Sequence, residues 1–203
     1  MRIAIFASGG GSNFQAIADA CRSGAIPASV VLCVSSRANS GVCHRARTLD
    51  IPVFIVEGIS DLETDELQAV LARHQVDFIA LAGFMRKIPA SLVRAFENRM
   101  LNIHPALLPA FGGKGMYGNR VHEAVIAQGV SSSGATVHIV DEEYDAGPIV
   151  LQESITVLRT DTPASLAMRV LEVEHRLYPK AIDLFARKMI QISDREVIIQ
   201  PKS

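Results

Sequence analysis

The residues best placed to do chemistry lie in Met100 to Pro109, MLNIHPALLP, where Asn102 and His104 stand one residue apart in an apolar segment. In extended backbone, residues i and i+2 project from the same face, so an amide and an imidazole are presented together. That pair suits stabilisation of a developing oxyanion. Pro105 removes a backbone donor and biases His104 away from helix, and Pro109 closes a short rigid segment behind it. An asparagine near a strand end also commonly makes a turn hydrogen bond, and both readings stand on these residues alone. A second element adds to them. Gly134 to Pro148, GATVHIVDEEYDAGP, alternates like a strand, carries His138 and ends in an acidic turn at Asp145. An aspartate on a Gly-Pro turn is usually a solvated turn former, but a carboxylate brought beside His104 would favour its imidazolium form and orient the ring.

The third candidate is Ser8-Gly9-Gly10-Gly11-Ser12-Asn13, between an apolar strand and a helical pattern. Strand, glycine turn and helix N-terminus present free N–H groups and the positive dipole end, which bind phosphate. A dinucleotide fingerprint would need a third glycine where Phe14 stands and an acid about 20 residues on, where Ser35-Ser36 occur. No Gly-Lys-Ser/Thr follows, so the turn is not a P-loop. Glycines also serve plain tight turns. Ser12 and Asn13 add side-chain donors, which favours a single phosphate.

The elements that position these residues alternate. Strands are expected at 2–7, 29–34, 51–55, 77–82 and within 100–109, and helices after Asn13 through about Arg22 and at 40–49, 64–73 and 89–96. Continuous apolar strands alternating with helices indicate α/β architecture, a doubly wound, mainly parallel sheet flanked by helices. Beyond Pro109 lies a glycine-rich loop, FGGKGMYG, then a helix at 119–128, strands at 135–140 and 149–157, and a long helix opening at Thr162-Pro163. Its apolar stripe is Leu166, Val170, Val173, Leu177, Ala181 and Leu184. A short strand is expected at 197–199. No repeat or linker divides the chain, which reads as one domain over 1–188 with a C-terminal extension, 189–203.

Composition narrows the function. The chain has 203 residues, is 49% hydrophobic and carries a net charge of -1, which gives no electrostatic case for a nucleic-acid or membrane partner. No apolar run approaches the roughly 20 residues that span a bilayer, and MRIAIFASGG lacks signal-peptide features, so a cytoplasmic location is expected. Cys21, Cys33 and Cys43 follow no metal spacing and read as buried or incidental thiols; no metal is expected.

With ASGGGSN, LAGFMR, NIHPALLP and D-x-GP in this order, the chain resembles the folate-dependent phosphoribosylglycinamide formyltransferases (glycinamide ribonucleotide transformylases) from Met1 to about Lys188. The Asn-x-His-Pro-x-Leu-Leu-Pro element is shared with other formyltetrahydrofolate enzymes, which carry a further domain. The resemblance implies a Rossmann-like formyltransferase fold, 10-formyltetrahydrofolate as co-substrate, glycinamide ribonucleotide as acceptor, and a place in purine biosynthesis. It implies that Gly11, Ser12 and Asn13 hold the acceptor's phosphate, that Gly83 lies at the acceptor, and that Glu174 binds the ribose hydroxyls. It further implies that Met85, Arg86, Lys87 and Ile88 wall the pterin pocket and that Asp141, Glu142, Glu143, Tyr144 and Asp145 close over it. Asn102, which also borders the folate, His104 and Asp145 form the catalytic trio, with Asp145 keeping His104 charged. On the residues alone, Glu174 reads as a solvated helix position.

Two departures stand out. Many members have an arginine before the helix at Thr64, where this chain has Ile59-Ser60-Asp61-Leu62-Glu63. The FGGKGMYGNRVHEA segment is longer than usual, so Lys114, Tyr117 and His122 inherit no role; Lys114 is a candidate anion contact and equally a solvated loop lysine. The competing readings are a hydrolase or sugar-nucleotide formyltransferase using the same donor, and a non-catalytic folate- or nucleotide-binding module. Oligomeric state is not legible.

Overall fold

Short, mostly buried strands separated by helices give the first half of the chain its parallel sheet. A computed structural model describes residues 1–58 and 60–200, so Ile59 and the last three residues of the expected extension lie outside the described residues. Two compact units are present, Met1–Asn102 and Ile103–Ser203.

In the first unit, β1 (Arg2–Phe6), β2 (Ser29–Ser35), β3 (Val53–Ile55), β4 (Phe78–Leu81) and β5 (Met100–His104), which runs on into the second unit, pair in the order β3-β2-β1-β4-β5. The pairings from β3 through to β5 are parallel. Parallel strands covered on both faces have no polar side to show, and Ile3, Ile5, Phe6, Ile79 and Leu101 are accordingly fully buried. The connections are α1 (Ser12–Arg22), α2 (Gly41–Thr48), α3 (Asp65–Arg73) and α4 (Ala90–Ala95). Thr64 caps α3 by accepting from the Leu67 N–H. The third strand starts two residues later than the apolar run suggests. Ile51 gives its N–H back to Ala46 of α2, and Pro52 has none to give.

The second unit holds α5 (Asn119–Gln128), the antiparallel pair β6 (Ser132–Ile139) and β7 (Ile149–Thr156), α6 (Pro163–Ala186), and a hairpin of β8 (Ile190–Ser193) and β9 (Glu196–Ile199). Thr162 and Ser165 cap α6 reciprocally, and Pro163 sits where its missing N–H costs nothing. The expected stripe is buried from Leu166 to Ala181, but Leu184 is partly exposed and Tyr178 and Ile182 take its place. Sequence reading anticipated β9 and missed β8. The alternation of Ile190 and Ile192 was its signal, and their partly buried positions alternate with exposed ones.

Candidate active site

The strand parity that pairs Asn102 with His104 is realised on β5. Asn102 is half-buried and in register with Leu81 of β4, and His104 is buried at the strand's end, where Pro105 stops the ladder. Two groups of the second unit fix the His104 ring. Its Nε2 lies 2.8 Å from the carbonyl oxygen of Phe111. A carbonyl only accepts, so Nε2 bears the hydrogen, and Nδ1 is turned 3.6 Å from Asp145 Oδ2.

Asp145 reaches this position from the turn after β6. The turn folds tightly: Ile139 donates its N–H to Pro148, and Glu143 donates to Asp141 Oδ1 at 3.0 Å. A Cβ on Gly147 would lie 1.8 Å from the Ile139 carbonyl oxygen, so only glycine permits this path. Asp145 itself is left-handed, φ 55, a conformation that aspartate accepts more readily than most residues. Gly113 of the glycine-rich loop after β5 donates its N–H to Asp145 Oδ2 at 2.9 Å. The FGGKGMYG loop therefore supports both members of the pair, one through a carbonyl and one through an amide.

A residue seen in the sequence but given no role completes the cluster. His138 is buried, with Nδ1 2.9 Å from the Ile139 carbonyl and Nε2 3.5 Å from Asp145 Oδ1. Strand alternation alone does not assign its direction, because the β6–β7 register shifts between Val137 and His138. His122 on α5 is also buried; its Nδ1 has no hydrogen-bond partner among the described residues, and burial lowers its pKa, with the charge of a protonated His104 adding to the shift.

Electrostatics correct one expectation. Burial pushes the His104 pKa below its ordinary 6.5, reinforced by His138, and outweighs Asp145 and the Phe111 carbonyl, which pull it up. Asp145 favours the imidazolium without winning, so the resting ring is neutral near pH 7 and the neighbouring carboxylate is set to stabilise a proton arriving at Nδ1. For Asp145, burial raises the pKa, but the His138 hydrogen bond, the His104 charge and the Gly113 N–H together hold it below 3.8.

The glycine-rich turn is built within the first unit. Gly11, φ 79, is the N-cap of α1, and a Cβ there would lie 2.8 Å from the Val42 Cα. Gly9 accepts from the Val42 N–H and Gly10 from Arg45 Nε, so the turn's carbonyls face α2. Ser12 is half-buried and Asn13 buried at the helix start. Buried Ser8 ties this turn to the LAGFMR segment: its N–H donates to Gly83, and its Oγ accepts from the Met85 N–H at 3.1 Å. The Met85 amide is thus already engaged, whatever the other backbone groups of residues 85–88 bind. Met85 and Lys87 are exposed, Ile88 is buried, and Arg86 donates to the Glu57 carbonyl.

Glu142, Glu143 and Tyr144 are exposed on their turn. Glu174 is not on a solvated face: it is only 8% exposed, on the side of α6 that also buries Val170, Val173 and Leu177. Lys114 is exposed. Among the described residues, no group of three or more His, Cys, Asp or Glu side chains is arranged to hold a metal, and no helix is long and apolar enough to cross a membrane.

Several known proteins share this chain's sequence and fold. The chloroplastic phosphoribosylglycinamide formyltransferase of Arabidopsis thaliana is 46% identical over 195 residues, covering 94% of this chain and 67% of the plant protein. The phosphoribosylglycinamide formyltransferase of Haemophilus influenzae is 35% identical, covering 100% of this chain and 95% of its own. The crystal structure of glycinamide ribonucleotide transformylase 1 from Symbiobacterium toebii superposes with a TM-score of 0.91 at 39% identity, covering 99% of this chain and 94% of that one. Residues 1–182 match the Formyl transferase family, and the chain belongs to that family.

Proposed function

We infer that this protein transfers the formyl group of 10-formyltetrahydrofolate to the primary amine of 5'-phosphoribosylglycinamide, a step of de novo purine biosynthesis. The observation that carries the reading is the pairing of buried His104 with the half-buried Asp145, braced by Phe111 and Gly113, in a chain 35–46% identical to enzymes with that name. We assign Asn102, His104 and Asp145 to catalysis. Gly11, Ser12 and Asn13 bind the acceptor phosphate, with Gly83 and Glu174 also on the acceptor. Residues 85–88, Asn102 and the turn 141–145 bind the folate.

The amine nitrogen attacks the formyl carbon, and the carbonyl oxygen becomes an oxyanion. Asn102 and His104 Nε2–H donate to it, the histidine exchanging the Phe111 carbonyl for a stronger acceptor. As the C–N10 bond breaks, a proton leaves the amine and one reaches N10. Water and the His104–Asp145 pair relay that proton from the amine to N10, with Nδ1, beside the carboxylate, holding it in transit. Holding both substrates in place supplies much of the remaining acceleration. No covalent intermediate with the protein is needed.

Free thiols at Cys21, Cys33 and Cys43 accord with the cytoplasmic location we propose. A hydrolase of the same fold would send the formyl group to water. Buried Glu174 and the glycine turn favour a phosphoribosyl acceptor instead. The deciding experiment gives purified protein 10-formyltetrahydrofolate with and without glycinamide ribonucleotide and measures both products. Formylated ribonucleotide made only with acceptor present is the expected result; formate release at the same rate without it would make the protein a hydrolase.

A further inference from the structure

The hairpin β8–β9 lies beyond the stretch that matches the family, which ends at residue 182, yet its tip reaches the turn that carries Asp145. Asp194 and Arg195 form that tip in left-handed conformation, φ 49 and 63. From there Arg195 Nη2 donates to two acceptors, Asp141 Oδ2 at 2.9 Å and the Ala146 carbonyl oxygen at 2.9 Å. Asp141 opens the acidic turn and Ala146 comes directly after Asp145. One guanidinium nitrogen therefore joins the two ends of residues 141–146. The other carboxylate oxygen of Asp141 accepts the Glu143 N–H, so the clamp also anchors the turn's internal hydrogen bond.

We propose that Arg195 is a positioning residue, which clamps the Asp141–Ala146 turn and thereby fixes Asp145 against His104 and the face that the turn offers to the folate co-substrate. This rests on the function proposed above for the turn. The physical case is geometric. Asp145 holds a left-handed conformation, its carboxylate lies between two imidazoles at 3.5 and 3.6 Å, and small shifts of the backbone at Ala146 move it. The ion pair is exposed on the arginine side, 67%, against 26% for Asp141, so it contributes little to global stability. Its consequence is local: with Arg195 gone, two ends of a six-residue turn lose their shared donor, while the core of the unit is untouched.

The test compares wild type with Arg195→Met, which keeps the aliphatic stem, and Arg195→Lys, which keeps the charge opposite Asp141. Arg187→Met, which breaks a helix-surface pair with Asp183, is the charge-matched control. For Arg195→Met we expect the folate KM to rise and kcat to fall by about two- to five-fold, the range an exposed charge pair supports, with the ribonucleotide KM unchanged. Lysine should restore part of the loss, and the control should match wild type. Amide exchange at residues 142–145 should quicken by a similar factor in Arg195→Met. Unchanged folate KM, an equal rise in both KM values, or unchanged exchange at 142–145 would overturn the clamp. Should wild type transfer no formyl group, the proposed function falls, and the exchange measurement still decides whether Arg195 holds the turn.

Discussion

Replacing Asp145 by asparagine keeps the side chain's size and removes its charge from between two imidazoles. The carboxylate lies 3.6 Å from His104 Nδ1 and 3.5 Å from His138 Nε2, with its side chain 11% exposed. Two unit charges about 4 Å apart attract by roughly 4 kcal/mol at the effective permittivity of such a site. That attraction is felt only when His104 is protonated, so it acts when a proton arrives at Nδ1 during transfer and is small in the resting neutral ring. Allowing for residual solvation, we expect a loss of roughly 3 kcal/mol of transition-state stabilisation, or about 100-fold in kcat. Both KM values should stay within a few-fold. Steady-state formyl transfer measures the rate. Because Asp145 is a cause that raises the His104 pKa against burial, its removal must move the His104 titration midpoint further down, which histidine ring NMR reports directly. A kcat within threefold of wild type in a folded variant, or a His104 midpoint that rises, would refute the reasoning.

Acid should destabilise the fold through buried histidines. Burial lowers the pKa of both His104 and His122, so the unfolded chain binds their protons first and stability falls as pH drops below about 6.5; a Tm flat from pH 7.5 to 5.5 would contradict this. Gly11→Ala places a Cβ 2.8 Å from the α2 backbone at φ 79, and should raise the KM for the ribonucleotide much more than for the folate; equal rises would mean the turn serves only the fold. Gly147→Ala drives a Cβ into the Ile139 carbonyl and should lower stability by about 1–3 kcal/mol in denaturant titrations, as overpacking does. Exposed Lys114 is expected to meet an anionic group of a substrate, so Lys114→Met should weaken binding and flatten its salt dependence, whereas unchanged affinity across a salt series would return it to solvent.

Local physics made much of this protein readable from its sequence. Buried parallel strands need uninterrupted apolar runs, a helix start needs its cap at Thr162-Pro163, and strand parity puts Asn102 and His104 on one face; each depends on residues within a few positions of one another. The glycine turn before α1 and the resemblance carried by four separated motifs arise from the same short-range patterns. The protonation of His104 was not readable, because burial and the Asp145 charge act in opposite directions and only the packed site decides which is larger. Nor was the direction of His138, which depends on a register shift between strands, or the burial of Glu174, which depends on which face of α6 is covered. Phe111, Gly113 and Arg195 act on residues 7, 32 and 54 positions away, through backbone atoms or a hairpin tip that carry no sequence signature. Sequence thus determined which groups are present and which elements carry them, while tertiary structure decided the direction of some, their charge states and their partners, since these depend on distances between segments remote along the chain.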